Sequence, residues 1–223
     1  MKIGFIGTGL MGFPMAKNLL QRGLDLKIFS RTLEKAKPLE EFGGIITTSI
    51  SETVKETDII FTMLTDDNAV EKVLGDQEFI NNLKPSSTVI DMSSINPKIA
   101  IKYGKLLKEK NINFLDAPVS GGTIGAEEGN LAIMVGGDQK VFDNVFDVLK
   151  IMGNPTLVGP IGSGQVSKLA NQIIVGVTIG AVAEAITLCE KAGVDANKFI
   201  KALAGGFADG KTVSYTHLTL PTT

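Results

Sequence analysis

Ile3-Gly4-Phe5-Ile6-Gly7-Thr8-Gly9-Leu10-Met11-Gly12 decides how the rest of the chain is read. Met1 to Ile6 is a short apolar strand. From Met11 to Leu20, the spacing of Met11, Met15, Leu19 and Leu20 predicts a helix with one apolar face. Between them stands a G-x-G-x-x-G turn, and each glycine has its own task. Gly7 permits the tight turn, Gly9 lets the backbone approach a pyrophosphate, and Gly12 lets the helix pack close on the strand. The helix N-terminus then offers unpaired N–H groups and a positive dipole end to phosphates. Pro14 falls near the first turn, where its missing N–H is tolerated. Strand, turn and helix in this order are the context that a dinucleotide-binding fingerprint requires. Gly7, Gly9, Leu10, Met11 and Gly12 are its candidate contacts.

Outward from this turn, strand and helix alternate. Leu24 to Phe29 is a second strand, ending in Ser30-Arg31-Thr32. An NAD-preferring site usually places Asp or Glu here for the ribose 2′-hydroxyl, whereas a hydroxyl and a guanidinium suit a 2′-phosphate. Ser30, Arg31 and Thr32 therefore favour NADP(H), with NAD(H) the second option; the alternative is a solvated Arg31 and a Thr32 that merely caps a helix. Glu34 to Phe42 is helical but interrupted at Pro38, and Ile45-Ile46 is a short third strand. Asp58 to Leu64 is the fourth strand, with Leu64 and Thr65 at the carboxyl end where ligands sit in open α/β sheets. Thr88 to Asp91 is the fifth, followed by Ser94 and by a helix from Pro97 to Lys110, and Ile112 to Asp116 is the sixth. This alternation predicts a parallel, doubly wound sheet.

Bulk properties limit the alternatives. The chain has 223 residues, 43% hydrophobic and 21% charged, with a formal net charge of -2. Lys and Arg are scattered among Asp and Glu, so no basic footprint for nucleic acid and no polybasic membrane patch is present. The single Cys189 fits a reducing compartment, no secretory signal is visible, and no metal site is read from the sequence. The most membrane-like run, Ile173 to Ala183, is about half of the roughly 20 residues a span needs, so a buried helix and a cytoplasmic protein are expected.

The chemistry is expected further on. Ser120, with the N–H groups of Gly121 and Gly122, offers an anion nest for a small carboxylate. Lys168, one turn into a long apolar helix that runs to Ala192, can give a proton to a carbonyl as hydride arrives and remove it in reverse. Asn171 and Gln172 follow at helical spacing and can bond the reacting oxygen or the carboxylate. The bland alternatives are a plain turn, a solvated lysine and amides that satisfy backbone groups. Gly176 and Gly180 predict a close approach by another helix, Gly193 a helix end, and Asp195 the start of another helix to about Leu203.

With these segments assembled, the chain resembles the β-hydroxyacid dehydrogenase family. The resemblance rests on Gly7 to Gly12 continuing through Pro14-Met15-Ala16-Lys17-Asn18-Leu19, on Ser30-Arg31-Thr32, on Asp116-Ala117-Pro118-Val119-Ser120-Gly121-Gly122, and on Gly162 to Gln172. Lys168 to Gln172 and Gly205-Gly206 are most similar to the tartronate semialdehyde (2-hydroxy-3-oxopropionate) reductases, with the 3-hydroxyisobutyrate dehydrogenases close behind. The resemblance implies that Lys168 is the catalytic acid/base, that Ser120, Gly121, Gly122 and Asn171 bind substrate, and that Leu64 and Ser94 contact the cofactor. Two departures stand out: Thr65 replaces the family's usual proline, and Gln172 replaces the second asparagine of many members, although the reductase branch also uses Gln.

The fold expectation is a Rossmann-type α/β domain over 1–161, then a long helix opening an all-helical domain over 162–212 that is truncated relative to the family. Residues 213–223 hold the only histidine, His217, and no charge, and look like a translated adaptor, a non-native tail. The expected activity is hydride transfer between NADP(H) and a small 3-oxo or 3-hydroxy acid, tartronate semialdehyde to glycerate first. Oxidation of 3-hydroxyisobutyrate and an inactive NADP-binding fragment are the alternatives. The expected partners are the small carboxylate and, for the full-length protein, further copies of itself, with no nucleic acid and no membrane.

Overall fold

The structure, a computed structural model, describes residues 1–210 and 212–213. His217 and nearly all of the expected non-native tail lie outside the described residues. The chain divides into two compact units, Met1–Lys168 and a second opening at Leu169.

The first unit is a sheet with helices on both faces. Its strands are β1 (Lys2–Ile6), β2 (Asp25–Phe29), β3 (Ile45–Ile46), β4 (Ile59–Thr62), β5 (Thr88–Asp91), β6 (Asn113–Asp116), β7 (Val119–Ser120), β8 (Leu131–Gly136) and β9 (Gly153–Gly159). They lie in the order β3-β2-β1-β4-β5-β6-β8-β7, with β9 on β8. From β3 to β6 every pairing is parallel, which is the Rossmann order with its switch point between β1 and β4. Strands β4 and β5 are buried along their whole length, as central strands of a parallel sheet covered on both faces should be, and they take Thr62, Thr88 and Asp91 inside with them.

Side-chain alternation divides the core. Ile3 and Phe5 face the cluster built with α1 (Gly12–Gln21) and α7 (Gln139–Met152), whereas Ile6 faces the one built with α3 (Asp67–Leu74), α4 (Gln77–Asn82) and α5 (Pro97–Glu109). Beyond β6 the sheet turns mixed. The chain folds back at Ala117-Pro118, so β8 runs antiparallel to both β6 and β7.

Four local features go beyond the reading of the sequence. Residues 34–42 form 3-10 helices, Leu33–Lys35 and Lys37–Phe42, and the second starts with Pro38 in its first turn, where no N–H is needed. A short α6 (Gly122–Glu128) occupies a stretch too rich in glycine to be read as helical, an override of propensity by packing. The last strand, β9, begins at Gly153 and carries Pro155, which an edge strand bonded only to β8 accommodates. The fourth concerns the long helix α8 (Ser163–Lys191). It was expected to be buried, yet Ile173 (69%), Val177 (68%) and Leu188 (71%) are exposed among the described residues. Apolar residues surround it, and by length and composition alone it could cross a membrane.

In the second unit, Val182 and Ile186 of α8 pack with Ile200 and Leu203 of α9 (Ala196–Leu203) and with Val213. Gly193, at φ 76°, ends α8, and the Asp195 carboxylate caps α9 by accepting from the Lys198 N–H at 3.0 Å. No described atom lies within 4 Å of where a Cβ would stand on Gly176 or Gly180, so the expected close helix packing there has no counterpart among the described residues.

Candidate active site

The glycine turn adopts the geometry its residues dictate. Gly7, at φ 102°, donates its N–H to the Phe29 carbonyl at 2.9 Å, and a Cβ there would stand 2.3 Å from the Met63 carbonyl. A Cβ on Gly12 would stand 1.9 Å from the Gly7 carbonyl, so α1 meets the turn with no room for a side chain. Gly9 faces open space and Leu10 is exposed, while Met11 is the last residue before α1. The first turn of α1 has no side-chain cap and no acidic residue; the Phe13 N–H donates to the Gly9 carbonyl at 3.0 Å and Pro14 has none, so an anion would meet the backbone of the glycine turn and the positive end of the helix. Thr8 Oγ1 is buried without a hydrogen-bond partner among the described residues, a polar atom awaiting a ligand. These residues fit a dinucleotide pyrophosphate.

The crevice continues over the carboxyl ends of β1, β2 and β4 as a cavity of about 370 Å³. Ser30, Arg31 and Thr32 line it at one end, and Leu64 and Thr65 on another side. Its cations are Arg31, Lys35 and Lys72, and no carboxylate lines it. Thr32 precedes a 3-10 turn without capping it through its side chain, which leaves that hydroxyl available. The Thr65 hydroxyl donates to Asp66 Oδ2 at 3.0 Å, and Asp66 caps α3, so this corner is held from within.

Past β5 the two adjacent serines part company. Ser94, the sequence candidate, is exposed, while Ser93 is fully buried and structural. The Leu64 N–H donates to Ser93 Oγ at 2.9 Å, and the Ser93 hydroxyl donates to Asp91 Oδ1 at 2.6 Å. Thr62 donates to the same oxygen at 2.8 Å. Burial pushes the Asp91 carboxyl up to about 6, against the hydrogen bonds from Ser93 and Thr62, and the neighbouring Asp116 adds to the rise. One network thus holds the loops after β4 and β5 that carry Leu64 and Ser94.

Asp116, paired in register with Asp91, does the same for α8. The helix takes its cap from across the sheet: Asp116 Oδ1 accepts from the Gly162 N–H at 2.7 Å and Oδ2 from the Gln165 N–H at 2.9 Å. Burial raises the Asp116 pKa, and these N–H groups work against the rise. A Cβ on Gly164 would stand 2.3 Å from the Met134 carbonyl, so the helix start is pressed against β8.

Lys168 stands one turn further along α8. It is half-buried, and among the described residues its ammonium makes no hydrogen bond or ion pair. Burial alone pulls its pKa below the ordinary lysine value, which is the direction a proton-transfer group needs. Ser120 ends β7, and Gly121 (φ 142°) and Gly122 (φ 64°) turn the chain into α6 with exposed backbone. The Asn18 amide of α1 donates to the Ala126 carbonyl at 2.8 Å and so ties α6 to the helix of the glycine turn. Asn171 and Gln172 continue α8 in the second unit, where the Asn171 amide donates to Gln172 Oε1 at 3.0 Å.

Sequence reasoning placed the exposed candidates but overlooked the buried polar residues Asp91, Ser93 and Gln165, and took Asp116 for a strand end. The available signal was an aspartate closing each of two apolar strands, Thr88–Asp91 and Asn113–Asp116.

Comparison with known proteins agrees with this geometry. Residues 2–176 match the family described as the NAD binding domain of 6-phosphogluconate dehydrogenase, and residues 162–219 that described as NAD-binding of NADP-dependent 3-hydroxyisobutyrate dehydrogenase. The chain is 43% identical over 213 residues to 2-hydroxy-3-oxopropionate reductase of Escherichia coli (strain K12), covering 95% of this chain and 73% of that protein. Among solved structures, 3-hydroxyisobutyrate dehydrogenase of Mycobacterium tuberculosis with L-serine superposes with a TM-score of 0.87 at 32% identity, over 95% of this chain and 72% of that one. The Salmonella typhimurium 3-hydroxyisobutyrate dehydrogenase gives 0.84 at 27% identity, over 96% and 76%. The family match over most of the chain and the identity to these relatives settle its kinship: the chain belongs to the β-hydroxyacid dehydrogenase family of NAD(P)-dependent oxidoreductases.

Proposed function

We propose that this chain is an NADPH-preferring reductase of a small 3-oxo acid, with tartronate semialdehyde to glycerate as its reaction. Lys168 carries the reading: a half-buried ammonium, unpaired among the described residues, with a lowered pKa on a helix fixed to the sheet edge. Bound NADPH supplies the hydride. Lys168 gives its proton to the carbonyl oxygen that becomes the hydroxyl, and in the reverse direction removes it. Ser120 and the N–H groups of Gly121 and Gly122 hold the substrate carboxylate, and the amides of Asn171 and Gln172 serve the substrate's polar groups. Leu64, Thr65 and Ser94 border the cofactor. The substrate choice is supported by the 43% identity to 2-hydroxy-3-oxopropionate reductase.

NADPH preference is supported by Arg31 beside Ser30 and Thr32, with Lys35 and Lys72 also lining the crevice and no carboxylate among its lining residues. Replacing Arg31 with alanine is expected to weaken NADPH binding about 10- to 100-fold while NADH binding moves little, since a charged hydrogen bond to the 2′-phosphate is lost. Fluorescence titration with both cofactors measures this, and a wild-type preference for NADH defeats the assignment. The substrate is tested by turnover with NADPH on tartronate semialdehyde, set against oxidation of 3-hydroxyisobutyrate with NADP+. Faster turnover of the second reassigns the enzyme to 3-hydroxyisobutyrate, and NADPH binding without turnover of either makes the chain a cofactor-binding module.

A further inference from the structure

Gln165 is 1% exposed, and its backbone N–H and both polar atoms of its side chain are engaged at the sheet's edge and in the loop after β5. Its N–H donates to Asp116 Oδ2 at the end of β6. Its side-chain Oε1 accepts from the Ile95 N–H at 3.0 Å, and its Nε2 donates to the Ser93 carbonyl at 2.8 Å. The amide therefore grips the backbone on both sides of Ser94, the exposed residue between two tethered points. No other residue type of this length offers a donor and an acceptor in one plane at neutral pH. Glutamate lacks the donor, and leucine lacks both.

The position of this grip matters as much as its strength. Lys168 follows Gln165 by three residues on the same helix, a little under one turn or about 4.5 Å along its axis. The loop that Gln165 holds is the one that the reading above sets beside the cofactor. From this geometry we infer that Gln165 is a positioning residue, a clasp that fixes the register between the Ser93–Ile95 loop and the helix carrying Lys168. It touches neither cofactor nor substrate. It sets where the proton donor stands relative to the cofactor loop, and this inference rests on the role proposed above for that loop.

The test uses the full chain with Gln165→Leu and Gln165→Glu, assayed by amide hydrogen exchange, NADPH titration, thermal unfolding and steady-state kinetics. In Gln165→Leu the Ile95 amide is expected to exchange about tenfold faster or more while the β1 amides keep their protection, as local opening requires. Its kcat is expected to fall about 10- to 100-fold with KM for the acid within about twofold, the pattern of misplacement and not of lost binding. Gln165→Glu keeps the acceptor for Ile95. Its kcat is expected to recover as pH falls through the carboxyl pKa, because the protonated acid donates to the Ser93 carbonyl as the amide did. A merely structural glutamine gives the opposite pattern: a lowered melting temperature, lost NADPH binding and no pH-dependent rescue. Unchanged Ile95 exchange, or kcat within about twofold of wild type in a folded Gln165→Leu protein, overturns the inference. Wild-type protein that binds no NADPH defeats the proposed function instead, so the two failures are separable.

Discussion

Replacement of Lys168 with alanine is expected to lower turnover about 10²- to 10⁴-fold while NADPH affinity stays within about twofold, because the loss falls on proton transfer. An ordinary exposed lysine is too basic to release and recover a proton near neutral pH. Burial lowers the pKa of Lys168, and no acidic partner among the described residues pulls it back up. The sign of the pH dependence follows. Reduction needs the ammonium, so its rate falls as pH rises through the lowered pKa. Oxidation needs the free amine, so its rate rises over the same window. Lys168→Arg is expected to be as inactive in oxidation as the alanine variant, since a guanidinium stays protonated in proteins. Initial rates in both directions across the pH range measure all of this. A Lys168→Ala protein that keeps its turnover removes the lysine from the mechanism.

Replacement of Asp91 with asparagine is expected to change how stability depends on pH. Asp91 is fully buried, its Oδ2 has no hydrogen-bond partner among the described residues, and its pKa stands at about 6 against an ordinary 3.8. Between those values the folded protein holds a proton that the unfolded chain has released. Asp91 therefore contributes stability that is complete below pH about 4 and lost as pH rises through about 6, in total about 3 kcal/mol. Asparagine keeps the Oδ1 acceptor for Thr62 and Ser93 and cannot ionise. Urea unfolding is expected to find the two proteins within about 1 kcal/mol at pH 4, with the variant about 3 kcal/mol more stable at pH 7.5. Parallel stability curves across that range refute the account.

What the sequence made legible was whatever depends on near neighbours. The glycine turn at Gly7 to Gly12, the strand and helix on either side of it, the Asp195 cap and the stop at Gly193 each follow from residues within a few positions. The buried network was not legible, because its partners are distant: Asp116 meets Gly162 at a separation of 46 residues and Gln165 meets Ser93 at 72. Ser93 and Ser94 show the limit most sharply. Composition cannot say which of two adjacent serines turns inward: Ser94 is exposed, and the buried Ser93 holds the loop that presents it. The α6 segment fails for a related reason, since its glycine-rich sequence is helical only in the company of α1, through Asn18 and Ala126. Helix α8 is the reverse case. An apolar surface all round predicts burial, yet the described residues leave much of it bare.

The cap on α8 also makes one element depend on another. A helix that carries its own capping residue can start itself, but α8 borrows Asp116 from a strand finished 46 residues earlier. Nucleating a helical turn is unfavourable without such help, and the help exists only once β6 has joined the sheet. The start of α8 therefore has nothing to fasten to until β6 is in place. Lys168, one turn along, stands on a segment whose start is only as firm as the sheet edge that caps it.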